Sequence, residues 1–284
     1  MEHFAIGIAL SRIKTHNILR KRFPMPKKKF LLPYMMSLLL LALLASGCIR
    51  RAVIYNDSPP EKILAAIPNA VGENDILSAV VQIDLVTSNG YHPVKAVLII
   101  KKPSYLRLEF LSVIGTPHFF LAASPEKMSI FIPSKGEFYY GQPTAVNLER
   151  FLPWPISIDD MVMIFAGTYP FLKEKLIAYH SYQEENFLRI EMVAQSRCSQ
   201  IIWVGENNRL LKLVRKDEYG KEIYNVKYDH YEEQSPVARE ITISMADRLT
   251  SVSVKYSDVK IEKATDMSIF NLPVPANVKT IPLD

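Results

Sequence analysis

The feature that most narrows the fold of this chain is a hydrophobic period of two that begins near residue 81. Val81, Ile83 and Leu85 alternate with Gln82 and Asp84, and a run of this kind puts one apolar and one polar face on a strand. "YLRLEFL" repeats the pattern, with Leu106, Leu108 and Phe110 opposite Arg107 and Glu109, and "HFFLAA", "KMSIFIP" and "GEFYYG" follow as short runs closed by Pro, Gly and Lys turns. "VKAVLIIKK" is apolar on both faces, so each of its sides needs a cover. Strands resume with "NFLRIEMVAQ", "QIIWVG", "RLLKLVRKD", "EIYNVKYDHY", "VAREITISM" and "LTSVSVKYSDVKI". Asn89-Gly90 predicts a type I′ hairpin turn, and "ENNRL" and "EYGKE" mark further hairpins. The expectation is an antiparallel meander of about 11–12 strands.

Two segments carry helical signals instead. In "NDSPPEKILAAIPNAV", Ser58 is the expected N-cap, Pro59 the first helical residue and Glu61 the partner in a capping box, with Pro68 limiting the length. "TAVNLERFLPWPISIDDMVMIFAGTYP" carries two more helical signatures. The second has Ser157 as N-cap, Gly167 as stop and Pro170 beyond it. Its apolar residues encircle most of the helix, which predicts burial on several sides. A long antiparallel sheet twists and curls, and its inner face must be filled. The expected fold class is therefore mainly β with a few α-helices. It is a strongly curved open half-barrel holding its helices in the concave face, with a helical insertion around 144–167. Leu106, Leu108, Phe110, Phe120, Met161, Ile164 and Phe165 are the candidates to line an apolar cavity between sheet and helices. A fully packed interior satisfies the same periodicity.

Ahead of the strands lies a segment of another kind. Lys27, Lys28 and Lys29 precede an uncharged run from Phe30 to Gly47. The unbroken apolar part is shorter than the roughly 20 residues of a spanning helix. A basic region, a short apolar region and a small-residue site make up a secretory leader. Its end, "LLASGC", resembles the lipobox of bacterial lipoproteins, in which the cysteine is acylated and becomes the first residue. By that resemblance residues 1–47 are a signal peptide, Cys48 is the lipidated residue, and 48–57 form a tether to a single domain over 58–284. Met25 opens a leader of ordinary length, so residues 1–24 are read as an over-extended start. Ile49 stands where an aspartate would retain the protein in the inner membrane. The resemblance thus implies the outer membrane, facing the periplasm.

The leader also accounts for the basic character of the chain, whose formal net charge is +5. Residues 1–47 hold eight of the 34 Lys and Arg residues but only one of the 29 acidic ones. That leaves 26 basic and 28 acidic side chains, and a near-neutral body has no electrostatic case for nucleic acid. Of the two cysteines only Cys198 remains beside Cys48. With Cys48 acylated no internal disulfide can form, and Cys198 is read as a buried or half-buried strand residue.

No G-x-S-x-G, H-E-x-x-H or glycine-rich phosphate loop occurs, and no spaced Cys/His cluster. His92, His118, His180 and His230 are read as structural or solvent-facing. Asp159 and Asp160 suit a helix start, where carboxylates favour the dipole. "YDHYEE" reads as a solvated strand edge. These readings predict a protein that is not an enzyme and that takes no cofactor or metal.

A lipoprotein leader, a short first helix, a strand meander and a buried helix ending in Gly-x-x-Pro resemble, in that order, the outer-membrane lipoprotein receptor LolB and its LolA/LolB-type relatives. "LRLEFLSVIGTPHFFLAAS" looks like the family's third strand, tip loop and fourth strand, and "LPWPISIDDMVMIFAGTYP" like its central helical segment. The resemblance implies a monomer that accepts the acyl chains of lipoproteins from a LolA-like periplasmic carrier and inserts them in the outer membrane. Val113, Ile114 and Gly115 would form the membrane-insertion loop, with Ile114 as the exposed tip residue. This chain is longer than the family's usual body, and "SAVVQIDL" lacks an Arg-Gly associated with that place. A lipid-anchored envelope sensor or scaffold of the same fold, without transfer activity, is the other reading.

Overall fold

The alternation that opens the strand-rich region becomes β2 (Asp75–Thr87), where Leu77, Ala79, Val81 and Ile83 are buried and the residues between them are half-exposed. In the computed structural model the described residues are 54–55, 60–112, 116–154, 156–184, 186–233 and 237–284. The expected leader, Cys48, the expected tether apart from 54–55, the Ser58–Pro59 helix start and the expected tip Val113-Ile114-Gly115 lie outside them. The body is one compact unit over 53–284. Its buried apolar cluster runs from Ile67 to Tyr256, so it carries its own core, as an independently folding unit does.

β2 is followed by β3 (Gly90–Lys101), β4 (Tyr105–Phe110), β5 (Phe119–Ala123), β6 (Met128–Ile132) and β7 (Glu137–Gly141), each antiparallel to the one before. A second series comprises β8 (Leu176–Glu184), β9 (Phe187–Ala194), β10 (Ser199–Val204), β11 (Leu210–Lys216), β12 (Glu222–Tyr231), β13 (Ala238–Met245) and β14 (Ser251–Lys263). The short β1 (Ile54–Tyr55) pairs with β8, and β15 (Lys279–Pro282) runs parallel to β7. All fifteen belong to one sheet, curled but unclosed: an open half-barrel.

Three features differ from the expectation. β1, β8 and β15 add to the twelve strands read from periodicity. The two series do not follow one another in the sheet but meet in its middle, where β14 pairs with β2 from Ser251 opposite Val86 to Lys263 opposite Asp75. The β2–β3 turn is also not type I′. Thr87 pairs with Gly90, and of Asn89 and Gly90 only Gly90 has a positive φ, +128°. A type I′ turn needs positive φ at both central residues.

The second face of β3 is served by the C-terminal segment, which crosses the outside of the sheet. Ala264 donates to the Asn74 carbonyl, and Arg107, paired across from Ile99, donates to the Ile269 carbonyl at 2.7 Å. Phe270 is buried beside the Tyr105 ring, 5.3 Å between centroids. The segment ends as β15 on the edge of β7.

The concave face is filled by the insertion between β7 and β8. Helix α1 (Pro60–Ala66) precedes β2, and the insertion supplies α2 (Ala145–Glu149) and α3 (Ile158–Phe165). Ser157 Oγ accepts from the Asp160 amide and Gly167 takes φ +76° past the helix end, which are the start and stop read from the sequence. Met161, Val162 and Ile164 are fully buried. The last carbonyls of a helix have no partner within it, and here the sheet supplies donors to the helix end and to the chain just beyond it. Tyr256 Oη donates to the Phe165 carbonyl at 2.9 Å, Tyr228 Oη to Thr168 at 2.7 Å, and Gln200 Nε2 to Pro170 at 3.0 Å. At the other end Tyr224 Oη donates to Asp160 Oδ2 at 2.7 Å, and Arg215 Nη2 lies 3.6 Å from the same oxygen. The helix and the residues after it are thus held by β14, β12 and β10 at the C-terminal side and by β12 and β11 at the N-terminal end.

Candidate functional site

The plug does not reach the whole concave face. Beyond the last turn of α2 the chain runs through Phe151, Leu152, Pro153 and Trp154, and a cavity of about 870 Å³ remains between this segment and the sheet. Its sheet side is formed by Ile83 and Leu85 of β2, by Val94 and the residues beside it on β3, and by Phe110 at the end of β4. Leu111, Ser112 and His118 complete the rim, and in the sequence they flank 113–115. The size is that of a small-molecule site, and the lining is largely apolar, as such sites require.

Local geometry explains the opening. His118 N donates to the Phe110 carbonyl at 3.0 Å and Leu111 N to the Lys95 carbonyl at 2.8 Å, which ends the β3–β4–β5 pairing at the rim. The Phe110 ring stacks on Phe119 at 4.8 Å and lies 6.0 Å from His118. Opposite, Trp154 N bonds to the Leu152 carbonyl and Ile156 N to the Trp154 carbonyl, both at 2.7 Å, keeping this proline-rich piece tight and non-helical. Trp154 is 1% exposed, and its indole N–H has no hydrogen-bond partner among the described residues. Phe151 packs edge-on against Tyr139 at 4.7 Å. The α2 side of the wall is pinned by Asp284, whose carboxylate accepts from Asn147 Nδ2 and from the Gln142 amide, each at 2.7 Å.

Of the expected cavity residues, Phe110 lines this space. Leu106, Leu108, Met161, Ile164 and Phe165 belong to the packed core, each at most 2% exposed. Phe120 lies on the other face of the sheet, where it stacks on Phe131, because the pairing of Phe110 with Phe119 turns Phe119 inward. His92, Pro93, Lys95, His118 and the Phe151–Trp154 segment went unread as lining. The available signal was "LPWPI": apolar residues held extended by prolines must find a cover other than a helix face.

His92 and His118 are exposed at the rim of the cavity, and among the described residues no carboxylate lines it. Among the described residues no three His, Cys, Asp or Glu side chains converge on one point. Cys198 is half-buried and has no disulfide partner among the described residues, one residue ahead of β10. Burial drives the Tyr224, Tyr228 and Tyr256 hydroxyls well above the ordinary tyrosine range, so they act as neutral donors to the plug. Among the described residues no helix is long and apolar enough to cross a membrane.

Comparison with solved structures places this architecture. The chain is similar to a LolA superfamily protein from Nitrosomonas europaea, with a TM-score of 0.55 and 13% identity over 75% of this chain and 97% of that one. It is similar also to a domain from Vibrio parahaemolyticus assigned as an outer membrane lipoprotein-sorting protein, with a TM-score of 0.51, 12% identity and coverage of 75% and 94%. A DUF1329 family protein from Desulfovibrio piger matches at a TM-score of 0.52 and 11% identity over 74% and 94%. No family model and no curated protein matches the sequence. At these identities the likeness is one of fold: the body shares the fold of these proteins.

Proposed function

We propose that this protein is a LolB-like lipoprotein of the outer membrane, anchored through acylated Cys48 on the periplasmic face. It receives the acyl chains of other lipoproteins from a LolA-like carrier and releases them into the bilayer. The observation that supports the reading is the apolar cavity of about 870 Å³ rimmed by Leu111, Ser112 and His118. An acyl chain gains about 0.8 kcal/mol per methylene removed from water, so a sheltered cavity shields it in transit. Val113, Ile114 and Gly115, which the rim residues flank in the sequence, would lead the chain into the membrane. Because the plug fills most of the concavity, the chain would be held at the mouth, which suits release rather than storage. No catalytic step belongs to this role.

The test is a photo-crosslinkable acyl probe added to the body that starts at residue 49, with labelled peptides mapped. Labelling within 83–95 and 151–154 is the expected result. A body without acyl occupancy would sink the transfer reading and leave a lipid-anchored sensor or scaffold of the same fold. Ile114→Glu should leave probe uptake intact while lipoproteins accumulate on the carrier. Normal delivery by that variant removes the role of the tip.

A further inference from the structure

A second cavity, of about 630 Å³, lies at the other end of β2 and β3. Leu64 and Ile67, from α1 and the turn after it, and Met163 of α3 give it apolar walls, and Phe171, 64% exposed, stands at its rim. Its polar side is the β3–β4 turn, where Lys101 and Lys102 stand next to one another.

Lys102 is the unusual member. The residue is only 6% exposed, and among the described residues its ammonium has one hydrogen-bond acceptor, Asn69 Oδ1 at 2.6 Å. No carboxylate lies within ion-pairing distance of it among the described residues: Asp75 is taken by Lys263 at 2.6 Å, and Glu73 on the cavity wall is exposed. Lys101 bonds to the Glu73 carbonyl at 2.9 Å and lies over the Tyr105 ring. An ammonium carries three donors, and burying one without a counter-charge is costly unless something restores the pairing. Its burial disfavours the charged form, with Glu73 and Asp75 acting the other way from a distance. A purely structural lysine would point its head to water, as long cationic side chains ordinarily do.

We propose that this cavity binds the anionic head of an amphiphile, a carboxylate or phosphate monoester, on Lys102 with Lys101 beside it. The apolar tail lies against Leu64, Ile67 and Met163, under Phe171. The site is separate from the mouth cavity and does not depend on the transfer reading.

The experiment uses the body from residue 49, a medium-chain fatty acid carrying a diazirine, its methyl ester, and inorganic phosphate. The expected result is labelling by the acid within 64–74 and 163–171, with affinity at least about tenfold above that of the ester. Lys102→Met keeps the length of the stem and removes the charge, so it should fold and bind acid and ester alike. A circular dichroism melt checks the folding, and the comparison of acid with ester in the unsubstituted chain stands whether or not the variant folds. Equal binding of acid and ester by the unsubstituted chain overturns the proposal, as does a preference that survives in a folded Lys102→Met. Labels confined to 83–95 and 151–154 overturn it while leaving the mouth cavity intact. Phosphate that binds as tightly as the acid would reduce the site to one for a free anion and remove the tail.

Discussion

Tyr224, Tyr228 and Tyr256 illustrate how single residues set the stability of this fold. Each carries a buried hydroxyl that serves the plug, and each is held neutral by burial, with its pKa above the ordinary tyrosine value of 10.0. In the unfolded chain these groups ionise near pH 10, while in the folded protein they keep their protons to higher pH. Their contribution to stability is therefore complete below pH 10 and is lost as pH rises from there toward the folded values. The slope is about 1.4 kcal/mol per pH unit for each tyrosine that differs. Urea titrations between pH 9 and 11.5 should show this fall, and Tyr256→Phe should make it shallower by about one tyrosine's worth. At pH 7 the same substitution leaves the Phe165 carbonyl without its partner at a cost of about 1–2 kcal/mol. An unchanged alkaline slope in that variant would mean that Tyr256 titrates outside the core.

At the scale of elements, what could be read from the sequence follows the range of the interactions involved. Helix α3 was legible because its signals are local: the Ser157 hydroxyl caps the Asp160 amide three residues on, and Gly167 takes the left-handed turn. Twelve strands were legible for the same reason. β8 was not, since Ile177 is exposed while Leu176 and Ala178 are half-buried, and as a strand near the sheet edge it shows no clean alternation. β15 has four residues and exists only because the C-terminal segment reaches β7. The β14–β2 seam was hidden as well, because a period of two assigns faces and not partners. The α3 stop gives a direct check. In Gly167→Ala a β-carbon would meet Val237 Cγ1 at 3.3 Å, with φ at +76°. The left-handed conformation alone costs about 1–2 kcal/mol. A lowered urea midpoint is expected, together with faster amide exchange at Thr168. Ser157→Ala should cost about 1 kcal/mol through the lost cap without disturbing Thr168.

On the scale of the whole molecule two cavities lie at opposite ends of β3, and periodicity could not locate them because both lie where the plug stops rather than where the strands alternate. The mouth cavity borders Val94, and the lysine cavity borders Lys101 on the same strand. Seven residues of strand at about 3.3 Å each put roughly 23 Å between them, and the fully buried side chains of α3 fill the interior between β3 and the facing strands. A packed core couples two distant sites when it has a second discrete arrangement to move to, and α3 is tied to the sheet at both ends. The two cavities should therefore fill independently. Val94→Trp, which puts an indole into the mouth, should abolish acyl labelling within 83–95 and leave the acid-over-ester preference at Lys102 unchanged. Lys102→Met should do the reverse, and the double substitution should show the product of the two single effects. Sites more than 7–10 Å apart with no shared partners add within about 0.3–0.5 kcal/mol, and a larger deviation in the labelling affinities would identify α3 as a coupling element that shifts when either cavity fills.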